Sequence, residues 1–268
     1  MEHSTLKKVR LSTMQILAIG FLSTIFIGGV LLFLPVSNVR PIRFIDALFT
    51  STTAVCVTGL VTVVPAAQFT VIGKIILLLL IQIGGLGVIA CAAGFFIILR
   101  RRITVRERVI IRESYNLDRL SGMVAFILQV IKGTFLVEGI GAVGFAFVFV
   151  PEYGVIRGIA YSIFHAVSAF CNAGIDILGS SSFTEYVSNP VVNITTMCLI
   201  VMSGIGFNVW GDIIGNIKKI RDKELVWTKF FERLSLHSKL AVTMTAGGYD
   251  DSYIDCGGNR CCFCVGVQ

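Results

Sequence analysis

Two long apolar stretches near the amino terminus constrain this chain more than any other feature. Met14–Leu34 and Val71–Leu99 each exceed the about 20 residues that an α-helix needs to cross the hydrocarbon core of a bilayer. Charged residues make up only 15% of the sequence, whereas average soluble domains carry about 25%. Met123–Val150 and Val191–Val209 are two further apolar stretches. We therefore predict an all-α membrane protein whose chain crosses the membrane four times.

The basic residues predict how the chain is oriented. Of the 23 lysines and arginines, three lie in residues 1–10, seven in 100–119 and seven in 211–240. Cytoplasmic loops of membrane proteins carry an excess of such residues. The pattern predicts a multi-pass protein of the cell (plasma) membrane with a cytoplasmic amino terminus. The net charge of +7 then reflects topology, and nucleic acid is not an expected partner.

A short apolar segment, residues 41–62, lies between the first two crossings. Pro41 is expected to open a short helix, and the small and β-branched residues of Ser51–Val57 to form an extended stretch that ends at Thr58-Gly59. Non-helical backbone at membrane depth is tolerated where it lines a cavity or is buried in protein. Such a loop can align carbonyl oxygens that replace the hydration shell of a cation. Taken alone, the segment fits an exterior turn equally well.

The same pattern occurs a second time, which favours the pore loop. Gly158–Ala169 is a short apolar segment that passes into small residues ending at Gly174. Ten residues separate Phe49 from Gly59, and ten separate Phe164 from Gly174. Internal repeats are typical of membrane transporters. The predicted fold is two tandem helix–pore loop–helix repeats, with four transmembrane helices, two re-entrant pore helices and the start of a third repeat.

The predicted organisation has six parts. They are a cytoplasmic basic leader (1–13), pore-loop repeat 1 (14–102), a cytoplasmic amphipathic segment (103–121), pore-loop repeat 2 (122–210), a cytoplasmic basic segment with the start of repeat 3 (211–245), and an aberrant tail (246–268). The tail contains four of the eight cysteines. We interpret it as the product of a frameshift or truncation, because adjacent cysteines without histidine make a poor zinc site.

Other residues within the apolar stretches invite a functional interpretation. Glycines 84, 85 and 87 form either a hinge or a packing face, and packing is favoured. Glu138 lies within a predicted crossing, where a carboxylate is costly. It either faces an aqueous pathway or bonds neighbouring backbone, and structural support is favoured. The sequence contains no nucleophile–base pair, phosphate-binding loop or metal-ligand set, so neither an enzyme nor a resident cofactor or metal is expected.

Several spaced strings occur in order within residues 10–243, namely FIDALFTSTTAVCVTGL, IQIGGLGV, FHAVSAFCNAGIDIL, SGIGF and LSLHSKL. Together they resemble the Trk/Ktr/HKT superfamily of potassium transporters, and within it the bacterial KtrB-type membrane subunit most of all. The resemblance implies a pore of four pore-loop repeats that takes up K⁺ through a filter of backbone carbonyls. The filter residues that it implies here are Val57, Thr58, Gly59, Leu60, Asn172, Ala173, Gly174 and Ile175.

The resemblance also implies partners. They are a second copy of the chain in a homodimer, a cytosolic nucleotide-binding regulatory subunit that docks on basic segments such as 104–120, and membrane lipid. K⁺ is the transported ion and Na⁺ a candidate coupling ion. With two repeats and the opening of a third, the chain supplies half of a four-fold carbonyl cage. Either two chains assemble a pore, or the chain is a non-conducting fragment that binds partner subunits, and the fragment is favoured.

Overall fold

A computed structural model describes residues 12–98, 123–179, 181–221 and 233–252 of the chain. Within these ranges the regular secondary structure is helical, apart from one isolated β-bridge between Asn38 and Phe69. Most of the predicted leader, the amphipathic segment 103–121 and tail residues 253–268 lie outside the described residues.

Ten α-helices are described. In the first half they are α1 (Thr13–Phe33), α2 (Phe44–Cys56), α3 (Pro65–Gln68), α4 (Val71–Leu86) and α5 (Val88–Ile98). In the second half they are α6 (Met123–Tyr153), α7 (Val155–Phe170), α8 (Pro190–Gly204), α9 (Phe207–Arg221) and α10 (Leu236–Ser252). In this part of the chain α1 and α6 are long and apolar enough to cross a membrane, and α8 with α9 could form a third, bent span.

Two of the apolar stretches predicted as crossings are broken at glycine. The stretch Val71–Leu99 divides at Gly87, whose φ of 85° ends α4 before α5 begins. The stretch Val191–Val209 divides at Gly206, with φ of 89°, and α8 and α9 meet at an angle of 92°. Side chains disfavour these φ values and glycine does not. The four crossings are therefore not four unbroken helices.

The first short helix differs from its predicted bounds. α2 begins at Phe44 instead of Pro41, and it continues to Cys56 through residues that were predicted to be extended. The hydroxyls of Thr50 and Thr52 each donate to the carbonyl four residues earlier, at 2.8 Å. These bonds let small polar residues remain helical in apolar surroundings. Of the segment that was predicted to be extended, only Val57, Thr58 and Gly59 lie beyond the helix.

Small residues bring the first helices together, as α1 contacts both α2 and α4. A Cβ added to Gly28 would lie 2.6 Å from a methyl of Leu80 and would also meet the hydroxyl of Ser51. That hydroxyl donates to the carbonyl of Ile25 at 2.7 Å. Glycine thus allows the close helix contact that membrane proteins use in place of a hydrophobic driving force.

The second half is held by an aromatic cluster around His165. The chain reverses at Gly154 between α6 and α7, which are in extensive contact. His165 is 1% exposed, and its Nδ1 lies 2.7 Å from the carbonyl oxygen of Tyr161. Ring centroids of five aromatic residues lie 5.0–6.5 Å from the imidazole. They belong to Phe145, Phe149, Tyr161, Phe164 and Phe183. α7 is therefore firmly packed on the side of this cluster.

We predict that Gly28→Val destabilises the protein, because the added side chain would overlap Ser51 and Leu80. Overpacking of this kind costs about 1–3 kcal/mol of unfolding free energy, measurable by chemical unfolding in detergent micelles. Gly133→Val is the matched control, since no heavy atom of the described structure lies within 4 Å of a Cβ there. Equal stability of the two variants would contradict the packing role of Gly28.

Candidate functional site

The two predicted filter segments leave their helices with the same backbone conformation. After α2, Val57 has φ of 56° and Gly59 has φ of 76°. After α7, Asn172 has φ of 57° and Gly174 has φ of 64°. In each segment a left-handed residue reverses the chain at the end of the helix, and a glycine with positive φ follows two residues later. The two segments that are similar in sequence therefore also have similar backbone dihedral angles.

Each segment is tied to the last turn of its helix by a backbone bond. The amide of Thr58 donates to the carbonyl of Thr53 at 3.1 Å, and the amide of Ala173 donates to the carbonyl of Ser168 at 2.8 Å. Both are the six-residue closure found at helix carboxyl termini that end in a left-handed residue. Thr53 and Ser168 each precede the segment's glycine by six residues, so the repeats use equivalent positions.

Hydroxyl groups at those equivalent positions add side-chain bonds. The Oγ1 atoms of Thr53 and Thr58 lie 2.6 Å apart. Ser168 Oγ donates to the carbonyl of Ile175 at 2.5 Å and accepts its amide at 3.1 Å. One hydroxyl thus satisfies both backbone groups of Ile175. The carbonyl of Ile175, predicted to flank the filter, is engaged by Ser168.

The structure brings the two segments side by side although they are far apart in sequence. A Cβ added to Gly59 would lie 2.9 Å from the carbonyl oxygen of Ala173 and 3.6 Å from the Cα of Gly174. A Cβ on Gly174 would lie 3.7 Å from the Cα of Gly59. The backbones of the two glycines are therefore neighbours, with little room for a side chain between them.

The eight predicted filter residues differ in exposure. Those of the second segment are partly anchored in the core, where the side chains of Ala173 and Ile175 are 0% and 1% exposed. The first segment is more open, and Leu60 is 56% exposed. Thr58, Asn172 and Gly174 are exposed, and Val57 and Gly59 are half-buried.

Glycines of α4 separate the ends of the two short helices. A Cβ on Gly84 would meet the carbonyl group of Val55, 2.8 Å from its carbon. A Cβ on Gly85 would meet the side chain of Cys171, 2.6 Å from its Cβ. Val55 is near the end of α2, and Cys171 directly follows α7. Of the two roles considered for these glycines, a packing face and a hinge, packing therefore applies to Gly84 and Gly85. Gly87 forms the break after α4.

Glu138 accepts a hydrogen bond from a side chain that was not predicted from the sequence to have a role. It lies on α6, is 4% exposed, and its Oε1 accepts a hydrogen bond of 2.9 Å from Nε2 of Gln82 on α4. The bond joins the two repeats. Gln82 was missed because its role depends on a contact with a helix 56 residues away. Thr53 and Ser168 were missed too, although the repeat spacing matches them.

Backbone oxygen is the chemistry that this site offers. Among the described residues, no group of three or more His, Cys, Asp or Glu is placed to hold a metal ion. Carbonyl oxygens held in fixed positions replace the water around a monovalent cation during permeation. The two paired segments are therefore a candidate path for a cation, formed by backbone and not by charged side chains.

Comparison with known proteins points to one family, that of the cation transport proteins. The family model for TrkH, described as "Cation transport protein", matches residues 7–245. The potassium/sodium uptake protein NtpJ of Enterococcus hirae is 40% identical over 241 residues, which cover 88% of this chain and 50% of the relative. The Ktr system potassium uptake protein B of Bacillus subtilis is 39% identical over 244 residues, covering 91% and 52%.

A more distant relative agrees with these matches. The Ktr system potassium uptake protein B of Vibrio alginolyticus is 34% identical over 231 residues, covering 86% of this chain and 48% of the relative. The chain spans about half the length of these curated relatives. Their names are those of uptake proteins, which are transporters and not enzymes.

We predict that Ser168→Ala loosens the second segment, because the amide and carbonyl of Ile175 both lose their partner. Leaving buried polar groups unpaired costs about 1–3 kcal/mol, which chemical unfolding in detergent micelles would detect. Ser162→Ala on the same helix is the control. Its buried hydroxyl bonds only a carbonyl four residues earlier, at 2.7 Å, within the helix. If the two variants unfold alike, the hydroxyl of Ser168 has no special role.

Proposed function

The chain belongs to the TrkH family of cation transport proteins, and we propose that it supplies half of a potassium-selective pore. The observation that carries the proposal is the contact between Gly59 and Gly174. It places two segments with the same backbone conformation side by side, as a ring of carbonyls requires. The chain is a membrane protein, and we propose that its amino terminus faces the cytoplasm.

In the proposed mechanism, K⁺ sheds water as it enters the pore that the two segments help to line. Carbonyls of residues 57–60 and 172–174 replace that water, while the carbonyl of Ile175 remains bonded to Ser168. The carboxyl ends of α2 and α7 adjoin the path, and the negative end of each helix dipole favours a cation there. Because no charged side chain is involved, fixed carbonyl geometry decides which ion is preferred.

The direction of transport follows from the membrane potential. The names of the relatives given above are those of potassium uptake proteins. An inside-negative potential favours entry of a monovalent cation by about 2.3 kcal/mol per 100 mV. We propose that K⁺ moves down its electrochemical gradient into the cytoplasm. Na⁺ is proposed as a coupling ion, and the name of the relative from Enterococcus hirae includes both ions.

Two open positions support a pore completed by further pore-loop units. Cys171 is packed against Gly85 of the preceding repeat, but Cys56, its equivalent in repeat 1, is exposed. Gly204 precedes the break at Gly206 by two residues, as Gly85 precedes the break at Gly87. No heavy atom of the described residues lies within 4 Å of a Cβ at Gly204. The cysteine–glycine contact that Cys171 and Gly85 make within the chain could therefore also be made by Cys56 and by Gly204, each with a further unit. We propose that two more units close the ring.

The proposal includes partners outside this chain. The names of two relatives assign them to a Ktr system. We propose a homodimer in the membrane and a cytosolic nucleotide-binding subunit that docks on the basic segments. The proposed docking segment 104–120 lies outside the described residues, so its support is the charge pattern of the sequence and the family.

We expect the complete gene to restore growth of bacteria that lack their own K⁺ uptake systems, at K⁺ concentrations that limit the parent strain. Protein that reaches the membrane without restoring growth would contradict the proposal. A second arm uses the purified 268-residue chain in liposomes. K⁺-selective flux would show that copies of the chain form a pore, and absence of flux would favour the non-conducting fragment.

We also predict that Gly59→Ser lowers the preference for K⁺ over Na⁺. Serine would be strained at φ of 76°, and its Cβ would press on the carbonyl of Ala173. A loss of about 1.4 kcal/mol corresponds to a roughly tenfold lower K⁺/Na⁺ permeability ratio, measured by ion flux. Gly133→Ser, at a helical glycine with open space, is the control. An unchanged ratio in the Gly59 variant would count against the filter assignment.

A further inference from the structure

A polar pair, in which Glu138 is buried and Gln82 is half-buried, links α4 and α6 next to the proposed filter. We propose that Gln82 and Glu138 are positioning residues for ion selection. Their hydrogen bond holds α4 where its glycines separate the ends of α2 and α7. The inference rests on the proposed function, because selectivity is the property that the pair would control.

The first observation is the isolation of the pair in apolar surroundings. Glu138 is 4% exposed and accepts the 2.9 Å hydrogen bond from Gln82. The groove that they share between α4, α6 and α7 is otherwise lined by apolar residues. They include Leu78, Leu79, Phe135, Ala142, Ile163 and Val167. A polar group buried in such surroundings is strongly destabilised unless it is hydrogen-bonded, so the bond ties α4 to α6.

The second observation is the short distance along α4 from this bond to the filter. Gln82 precedes Gly84 by two residues and Gly85 by three, which is less than one helical turn. Gly84 abuts the carbonyl group of Val55, and Gly85 abuts Cys171. Val55 precedes the filter residue Val57 by two positions, and Cys171 directly precedes Asn172. A displacement of α4 is therefore transmitted to both segments at once.

The third observation is that the two glycines of α4 are in tight contact with the ends of α2 and α7. Neither glycine can accept a Cβ without displacing its neighbour. Beyond them the first filter glycine is also close to the opposite segment, since a Cβ on Gly59 would lie 2.9 Å from the carbonyl oxygen of Ala173. In close-packed protein a small shift at one contact is passed on and not absorbed. The bond at Glu138 thus helps to set the separation of the two filter segments.

Three variants test the inference in the protein expressed from its complete gene. Glu138→Gln keeps an oxygen that can accept from Gln82. The double variant Gln82→Met with Glu138→Met removes both partners and keeps unbranched side chains of similar length, which is close to neutral for stability. Gly139→Ala, next to Glu138 at a glycine with open space, is the control. The readouts are the K⁺/Na⁺ uptake ratio and the unfolding midpoint in detergent.

We expect Glu138→Gln and Gly139→Ala to retain the K⁺/Na⁺ ratio of the unchanged protein. The double methionine variant should lose roughly two- to thirty-fold of that ratio, the range for changes that act through packed networks, with little change in the unfolding midpoint. A merely structural pair would change the midpoint and leave the ratio of the folded protein intact.

Two results would overturn the inference. One is an unchanged ratio in the double methionine variant. The other is a ratio in Glu138→Gln that falls as far as in the double variant, which would assign the effect to charge instead of the hydrogen bond. Should the double variant not reach the membrane, Gln82→Met combined with Glu138→Gln takes its place, because it removes the donor and leaves a neutral side chain at position 138; an unchanged ratio there overturns the inference as well. Failure of the unchanged protein to take up K⁺ would refute the proposed function and is distinguishable from both.

Discussion

The structure depends on the close approach of two backbone segments at Gly59 and Gly174. A Cβ on Gly59 would press on the carbonyl oxygen of Ala173, and a Cβ on Gly174 would lie in van der Waals contact with the Cα of Gly59. Both adopt positive φ values, which side chains disfavour. Fixed backbone carbonyls can act on a cation only if the segments that carry them keep their separation. The hydroxyl groups, helix ends and neighbouring helices around the site all serve this requirement.

Two sets of contacts maintain that separation from opposite sides. On the side of the short helices, Thr53 and Ser168 accept backbone amides from their segments and add hydroxyl bonds. On the side of α4, Gly84 and Gly85 keep the ends of α2 and α7 apart. Backbone polar groups at membrane depth must find partners within the protein. The bonds to Thr53 and Ser168 meet this need for the amides of Thr58, Ala173 and Ile175, and in the proposed pore the carbonyls of residues 57–60 and 172–174 would bind the ion.

Much of the site could be predicted from the sequence, because spacing and residue size carry the information. The ten-residue interval before each glycine identified both segments, and the glycine-rich stretch 84–87 indicated close packing. The extent of α2 was not predictable, because small hydroxyl residues such as Thr50 and Thr52 fit helix and extended chain alike. The partner of Glu138 was not predictable either, since Gln82 meets it only in the folded protein. The membrane orientation and the docking partners stay predictions.

The most direct test of the central claim is to locate the bound ion. Rb⁺ or Tl⁺ can replace K⁺ in the assembled transporter, and anomalous scattering from crystals then shows their position. The account predicts a peak in the pore beside residues 57–60 and 172–174, in direct contact with backbone carbonyl oxygens, that fades when excess K⁺ competes. Ions bound only elsewhere, or a site beside these residues from which Na⁺ displaces the ion as readily as K⁺ does, would contradict it.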